Sequence, residues 1–183
     1  RPYTLDEFRP YFEGLLPEGS ALRAIAQSLG IDERDWLSML FRCGLDCIGD
    51  VVVNLDAYED DRGYRTLSSE EFAATFNQMR SFVAVQEASR LSLAGTQGKC
   101  GLYHDPSASH ENGWFVPYGG APSNYIVKFS SEKHPHLVLI EQLCMSAARA
   151  SGMRTCNTFL LSLPHPALCA ERFDRAVGQN GKD

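Results

Sequence analysis

The first forty residues carry the polar residues that begin and end short helices, set around apolar segments. Thr4 and Glu7 form a capping-box pattern, and Ser20 and Asp32 are candidate amino-terminal caps for the next two segments. Gly30 suits the carboxy-terminal end of the second segment. The sequence therefore predicts three helices, which begin after Thr4, Ser20 and Asp32 and end at Phe12, Gly30 and Phe41.

The pattern changes after these helices. The β-branched run Val51 to Val53 predicts a strand, and the charged segment from Asp56 to Gly63 predicts a turn or a linker. We place a domain boundary in that segment. It divides the chain into a small helix-rich subdomain, residues 1–60, and a second unit, residues 61–183.

The second unit is predicted to be rich in strands. Ser68 and Glu71 form another capping-box pattern, which predicts a short helix toward Arg80. A longer helix is predicted over residues 137–150, because Gly152 suits the left-handed position that ends it. Five strands are predicted, at Lys99 to Tyr103, Gly113 to Val116, Tyr125 to Phe129, Phe159 to Leu163 and Leu168 to Phe173. This order predicts an α+β fold, a mostly antiparallel sheet crossed by one helix.

Composition and charge narrow the class of protein. Of the 183 residues, 44% are hydrophobic and 22% are charged, as in ordinary globular proteins. The 17 Lys and Arg residues stand against 23 Asp and Glu residues, and this net charge of −6 argues against nucleic-acid binding by the whole surface. The sequence shows neither an apolar run of membrane-spanning length nor a secretory leader pattern, so we expect no membrane contact and a cytoplasmic location.

The cysteines and histidines show no zinc-binding spacing. We interpret the six cysteines as buried thiols and the five histidines as loop residues rather than metal ligands. The cysteines are Cys43, Cys47, Cys100, Cys144, Cys156 and Cys169. The histidines are His104, His110, His134, His136 and His165.

An acidic residue occupies the apolar stripe of the long predicted helix. Leu137, Glu141, Cys144 and Ala148 fall on one face at 100° per residue. An unpaired buried carboxylate is costly, so Glu141 is expected to find a cation on the sheet that the helix covers, and Lys128 is the candidate. A strand lysine paired with a helix glutamate holds nucleotide phosphates in kinases. The alternative is that Glu141 lies in water and Lys128 extends to solvent.

A loop of small residues runs into the first of the predicted strands. The segment from Ser92 to Gly98, here called the glycine-rich loop, includes Ala94 and Gly95, which let backbone N–H groups approach phosphate oxygens closely. It does not fit the Walker A pattern, which opens a helix rather than a strand. An ordinary surface hairpin with two glycines has the same composition.

The last predicted strand ends in the charged segment from Ala170 to Arg175. In an extended chain the carbonyl of Glu171 and the N–H of Phe173 point to the same edge, where they could contact an adenine. We call Glu171, Arg172 and Phe173 the hinge segment. The alternative is a charged strand end with Arg172 and Arg175 in solvent. The loop, lysine, glutamate and hinge segment occur in the order that a kinase small lobe uses them.

Together these residues resemble the HipA family of toxin serine/threonine kinases. The resemblance extends to the amino-terminal part of the chain and covers nearly all of it. Its motifs are residues 91–99, Ile126 to Lys128, Glu141, residues 171–175, residues 12–19 and residues 40–51. It implies a protein-kinase-like small lobe that follows the small helix-rich subdomain.

The resemblance implies an ATP site. Lys128 would contact the α- and β-phosphates, with Glu141 as its ion-pair partner, and the hinge segment (Glu171, Arg172 and Phe173) would contact adenine through its backbone. The phosphate loop would comprise Ala94, Gly95, Thr96, Gln97, Gly98 and Lys99. Ser92 matches the serine that family members autophosphorylate. A dianion there would displace the loop, because it cannot lie beside a bound triphosphate.

The resemblance also implies which kinase residues are not expected in this chain. The catalytic base and the Mg²⁺ ligands of a kinase follow the hinge on a large lobe, and only ten residues follow Phe173. We therefore expect this chain to be a segment or a shortened form of a kinase, one that binds ATP without transferring phosphate. No catalytic residue and no metal ligand are predicted in it.

The expected partners follow from the same resemblance. They are a helix-turn-helix antitoxin of the HipB type, operator DNA reached through that antitoxin, and a protein substrate such as an aminoacyl-tRNA synthetase. Family members of this kind are linked to persistence. The alternative function is a non-catalytic module that binds the antitoxin or masks a separate kinase. A third interpretation makes Lys128 and Glu141 a packing pair only.

Overall fold

The computed structural model describes most of the chain as three short helices followed by an antiparallel sheet. The described residues are 1–49, 51–53, 62–68, 70–72, 74, 92–95, 97–162 and 165–175. The helices are α1 (Leu5–Glu13), α2 (Gly19–Leu29) and α3 (Trp36–Cys43), and a longer helix, α4 (Leu137–Ala150), follows the fourth strand. The predicted domain boundary and much of the predicted linker lie outside the described residues. Of the helix predicted toward Arg80, residues 70–72 and 74 are described, and they are helical.

Two of the three amino-terminal helices begin at residues other than the predicted caps. The capping box at Thr4 is confirmed, since the Thr4 N–H donates to the Glu7 carboxylate at 2.8 Å. Helix α2 begins after Glu18 rather than Ser20, and the Glu18 N–H donates to the carbonyl of Gly95. Helix α3 begins after Asp35 rather than Asp32.

The two aspartates before α3 have different roles. Asp35 accepts the Ser38 N–H at 3.1 Å, which is the bond of an amino-terminal cap, whereas Asp32 accepts the Arg34 N–H at 2.9 Å and forms a local turn. Hydrogen bonding to Ser38 lowers the pKa of the Asp35 carboxyl.

Replacing Asp35 with alanine is expected to lower the melting temperature by roughly 2–4 °C, because a lost cap leaves an N–H of the first turn unpaired. Asp32→Ala is the matched control, since it removes a carboxylate that pairs only with an exposed arginine. Thermal unfolding followed by circular dichroism measures both variants. Equal losses would show that Asp35 does not act as the cap.

Six strands form one sheet in which every neighbouring pair is antiparallel. The strands are β1 (Gly63–Thr66), β2 (Lys99–His104), β3 (Trp114–Tyr118), β4 (Tyr125–Phe129), β5 (Thr158–Leu161) and β6 (Ala167–Glu171). Their order across the sheet is β1-β3-β2-β4-β6-β5. The predicted α+β class and five of the strands are therefore confirmed.

One strand was not predicted, and one predicted strand is not formed. Strand β1 shows no alternation of apolar and polar residues, and its four residues pair with β3, from Gly63 opposite Tyr118 to Thr66 opposite Phe115. Residues 51–53 do not form a strand. The Val53 N–H donates instead to the carbonyl of Gly44 at 2.7 Å, and this bond holds the β-branched run against the helices.

Helix α4 lies on the sheet over β4, β5 and β6. The face of α4 that packs on the sheet is rotated about the helix axis, by about one residue position, from the predicted apolar stripe. Val138 is fully buried and Glu141 and Ala148 are half-buried, but Leu137 and Cys144 are exposed. The predicted stripe was therefore correct for Glu141 and wrong for Leu137 and Cys144.

The core joins the helices to one face of the sheet. Four cysteines belong to it, as predicted: Cys43, Cys47, Cys100 and Cys169. Burial raises the pKa of the Cys47 thiol to about 11. Cys144 is exposed and Cys156 half-buried, contrary to the prediction. The prediction was also wrong for His104, which ends β2 and is buried, with a ring nitrogen 3.1 Å from the Ser109 carbonyl oxygen.

No helix within the described ranges combines the length and the apolar character needed to cross a membrane.

Candidate functional site

Lys128 and Glu141 form an ion pair between the sheet and the helix above it. Lys128 lies on β4 and its Nζ donates to Glu141 Oε1 on α4. The two side chains are 24% and 29% exposed, so the pair is neither free in water nor sealed in the core. The solvent-exposed alternative for these residues is therefore excluded. A partly exposed, paired lysine keeps an ammonium group at the surface, where a phosphate oxygen can reach it.

A second lysine lies across the strand pair. Lys99 is opposite Lys128 in the register of β2 and β4. Burial and the neighbouring Lys128 charge lower the pKa of Lys99, against the opposing influence of Glu18 and Glu141. The ammonium groups of Lys99 and Lys128 lie near the carboxylates of Glu141 and Glu18, so this corner of the sheet combines two cations with two anions. The two ammonium groups are the part of the corner that can contact an anionic ligand.

Gly95 allows the second lysine to lie against the glycine-rich loop. A Cβ built on Gly95 would lie 2.9 Å from Lys99 Nζ, and the backbone there has φ +99°. Both the space and the conformation favour glycine. The loop and the lysine corner are therefore adjacent. Thr96 lies outside the described residues.

The connection between α1 and α2 holds the start of the glycine-rich loop. Ser92 is fully buried, and its Oγ donates to the carbonyl of Leu15 at 2.6 Å. The Glu18 N–H donates to the Gly95 carbonyl at 3.3 Å, beside a parallel bridge between Pro17 and Gly95. The surface-hairpin alternative is excluded, because the loop is tied to another part of the chain.

The end of the loop is tied to β4. The Phe129 N–H donates to the Gly98 carbonyl at 2.9 Å, and Gln97 Nε2 donates to the Phe129 carbonyl at 3.3 Å. Ala94 is half-buried between the two anchored ends. Since Phe129 follows Lys128 directly, these bonds place the loop beside the paired lysine.

The hinge segment continues from β6. The Glu171 N–H donates to the Asn157 carbonyl and the Arg172 N–H donates to the Asn124 carbonyl, both at 2.9 Å. The side chain of Phe173 is 92% exposed. The backbone of this segment is thus held by two neighbouring strands, with an aromatic ring directed outward.

Arg172 is buried in a network of hydrogen bonds rather than in solvent. Its side chain is 0% exposed. The guanidinium donates to Asp46 Oδ1 and Ser123 Oγ at 2.8 Å each and to the Cys47 carbonyl at 2.9 Å. It also makes two bonds to the Asp174 carboxylate, at 3.0 and 2.8 Å. The alternative of an ordinary strand end is excluded for this residue.

A second arginine completes the network. Arg175 Nη2 donates to Asp46 Oδ1 at 2.6 Å, and its Nη1 donates to the carbonyl of Gly49. The Gly49 N–H in turn donates to Asp174 Oδ2 at 2.8 Å. Two arginines and two aspartates balance in formal charge, which is what allows them to be buried together.

The pKa values in this network reflect the pairing. Burial is the largest single influence on the Asp174 carboxyl and raises its pKa. The hydrogen bond and charge of Arg172, the Gly49 N–H and the charge of Arg175 together outweigh burial and lower that pKa to about 2. Burial likewise disfavours the charged form of Arg172, yet the bonds to Asp174 and the charge of Asp46 leave its pKa above the ordinary value. The pairing thus favours the charged forms of Arg172 and Asp174.

Sequence reasoning missed Asp46 and Ser123. They lie 126 and 49 positions from Arg172. The alternation of acidic and basic residues from Glu171 to Arg175 is the one signal in the sequence that hints at a charge network. No group of three or more His, Cys, Asp or Glu side chains in the described part of the chain is arranged to hold a metal ion.

Comparison with known proteins covers both parts of the chain. Residues 1–54 match the HipA N-terminal domain, and residues 91–182 match the HipA-like C-terminal domain. The serine/threonine-protein kinase toxin HipA of Shewanella oneidensis is 30% identical over 94% of this chain and 39% of its own length. The putative kinase Y4mE of Sinorhizobium fredii is 29% identical over 98% of this chain and 44% of its own length.

A solved structure gives the same result in three dimensions. The HipA chain in a complex of Shewanella oneidensis HipA, HipB and operator DNA matches with a TM-score of 0.69 and 26% identity, over 94% of this chain and 40% of that one. The likeness agrees with the predicted kinase-like small lobe. The chain spans about two fifths of the length of these relatives. With one family model matching more than half of its residues, this chain belongs to the HipA family.

Proposed function

We propose that this chain is the ATP-binding part of a serine/threonine protein kinase of a toxin–antitoxin system. The Lys128–Glu141 ion pair, beside Lys99 and the glycine-rich loop, carries the proposal. A lysine that is half-exposed and oriented by a glutamate is the arrangement that kinases use on nucleotide phosphates. The named relatives, a kinase toxin and a putative kinase, support the reaction class.

Each group in the site then has a task. Lys128 binds the α- and β-phosphates, Glu141 orients its ammonium group, and Lys99 adds a second lysine near the loop. The backbone of the hinge segment receives the adenine. Mg²⁺ accompanies the triphosphate and neutralises part of its charge. We assign nucleotide binding, and not phosphate transfer, to the residues described above.

Ser92 is proposed as a regulatory phosphorylation site. Its hydroxyl is buried and bonded to Leu15, so it becomes accessible only when the glycine-rich loop leaves its place. Once phosphorylated, Ser92 could not return, because a dianion would face the Leu15 carbonyl without a donor. Phosphorylation would therefore keep the loop displaced and the nucleotide site incomplete.

The proposed partners come from the family. The Shewanella structure contains HipB and operator DNA, which supports an antitoxin of the HipB type as a partner of this chain, with DNA bound through that antitoxin. A component of translation, such as an aminoacyl-tRNA synthetase, is the proposed substrate of the whole kinase. The proposed location is the cytoplasm, where such a substrate is found.

Calorimetric titration of the 183-residue chain with Mg-ATP tests the proposal. Lys128→Met is expected to weaken binding about tenfold, because a charge-assisted hydrogen bond to phosphate is lost. Lys133→Met, which removes an exposed lysine near the start of α4, is the matched control and should bind as the wild type does. Absence of binding by the wild type would favour the non-catalytic module that binds an antitoxin or masks another kinase.

A further inference from the structure

Asp46 lies where three parts of the chain meet, and only 2% of its surface is exposed. Its carbonyl accepts the N–H of Ser92 at 3.3 Å. Its carboxylate accepts from Arg172 at 2.8 Å, from Arg175 at 2.6 Å and from Ser123 Oγ at 2.7 Å. One residue that follows the amino-terminal helices thus contacts both the glycine-rich loop and the end of the hinge segment.

We propose that Asp46 is a positioning residue for nucleotide binding: its carboxylate fixes the backbone of the hinge segment, and its carbonyl holds the start of the glycine-rich loop. The inference rests on the proposed function, since it assigns this residue to the same site. Asp46 is not proposed to touch the nucleotide. It acts through Arg172 at the adenine end and through Ser92 at the phosphate end.

The geometry of Arg172 explains how a side chain can fix the backbone. A guanidinium has five N–H donors. All five are used here, in single bonds to Asp46, Ser123 and the Cys47 carbonyl and in two bonds to Asp174. A planar group with every donor bound in a site closed to solvent is held in a defined position. Together with the bond from the Arg172 N–H to the Asn124 carbonyl, this anchor restrains the backbone on either side of Arg172.

The charge of Asp46 is required at this point because it serves two arginines. Asp46 Oδ1 accepts from Arg172 and from Arg175 together. An asparagine of the same shape would leave one positive charge in the buried network without compensation, which is costly enough to shift the arginines. The asparagine would keep the backbone carbonyl that holds Ser92. Asp46→Asn therefore alters the hinge end of the site and spares the loop end.

Two ligands distinguish an effect on the hinge segment from an effect on the glycine-rich loop. ATP needs both the hinge segment and the loop, whereas inorganic tripolyphosphate needs the loop and the lysines alone. In Asp46→Asn the affinity for Mg-ATP is expected to fall about tenfold, while the affinity for Mg-tripolyphosphate stays within about twofold of the wild type. Calorimetry with both ligands measures the two affinities on the same protein sample.

A core variant is the control that distinguishes positioning from general loss of structure. Ile25→Ala opens a cavity at a fully buried residue of α2 whose apolar side chain makes no hydrogen bond to the network. It should change the affinities for ATP and tripolyphosphate by the same factor. If Asp46→Asn also changes both affinities by the same factor, the residue has a merely structural role and the inference is wrong.

Hydrogen exchange without nucleotide tests the same inference independently of ATP. Asp46→Asn is expected to speed amide exchange across residues 171–175 at least about fivefold relative to Ile25→Ala, as the network loosens. Unchanged exchange in that segment would overturn the inference even if the chain binds ATP. If exchange speeds up but the wild type binds no ATP, Asp46 still fixes this segment, and it is the proposed nucleotide site that fails.

Discussion

The variant Ser92→Asp is expected to lose Mg-ATP affinity by about a hundredfold or more. Ser92 has no exposed surface, and its hydroxyl donates to the Leu15 carbonyl at 2.6 Å. A carboxylate in its place would have no proton to donate and would face a carbonyl oxygen. A buried, unpaired negative charge costs several kcal/mol, more than the anchoring bonds of the loop supply. The chain is therefore expected to release the loop rather than bury the charge.

Release of the loop removes one wall of the proposed nucleotide site. The bond from the Glu18 N–H to the Gly95 carbonyl and the contact of Gly95 with Lys99 depend on the loop being in place. Calorimetry with Mg-ATP measures the loss of affinity, and hydrogen exchange at Ser92 and Leu93 reports the release directly, since both are fully or almost fully buried in the structure.

Two further variants define what the result means. Ser92→Ala removes one hydrogen bond without adding charge, so ATP affinity should stay within about threefold of the wild type. Ser162→Asp adds the same charge at an exposed serine and should have no effect on affinity. If Ser92→Asp binds ATP as Ser92→Ala does, then a negative charge at Ser92 does not control the site, and the proposed regulation fails.

The sequence predicted most accurately the elements whose signals are local. The bounds of β4 and α4 match the predicted ranges, because a short apolar run and a long helix with a terminal glycine are readable within each segment. The ion-pair partners Lys128 and Glu141 were identified because both lie on such elements. The caps were predicted less well. Asp32 and Asp35 are both local cap candidates, and the sequence does not choose between them, whereas α2 begins after Glu18, whose side chain makes no capping bond.

Long-range pairing explains the failures. Strand β1 exists because β3 lies beside it, and its own four residues show no strand pattern. Arg172 was predicted to contact adenine through its backbone, and the alternative placed its side chain in solvent, where an arginine among other charged residues usually lies. Neither interpretation predicted that the side chain is buried. Asp46, whose charge holds that side chain in the interior, lies far away in the sequence. A single sequence cannot show such a pairing.

The buried network gives the largest expected effect on stability. Arg172→Met is expected to lower the free energy of unfolding by about 3–5 kcal/mol, because it removes one partner of a buried ion pair and leaves Asp46 and Asp174 with Arg175 alone. The melting temperature should fall by roughly 10 °C. Arg65→Met breaks an exposed pair with Glu71 and should cost less than about 1 kcal/mol.

The double variant Asp46→Leu with Arg172→Met shows whether the loss of stability comes from breaking the Asp46–Arg172 ion pair or from the changed packing of the two side chains. Replacing both charges with apolar side chains leaves no unpaired carboxylate at residue 46, so the double variant should be more stable than the sum of the two single losses predicts, by about 2 kcal/mol. Urea unfolding of the four proteins gives this coupling. Additive losses would mean that Asp46 and Arg172 stabilise the fold separately. Strong coupling would identify the Asp46–Arg172 pair as the contact through which the part of the chain that follows α3 fixes the segment after β6.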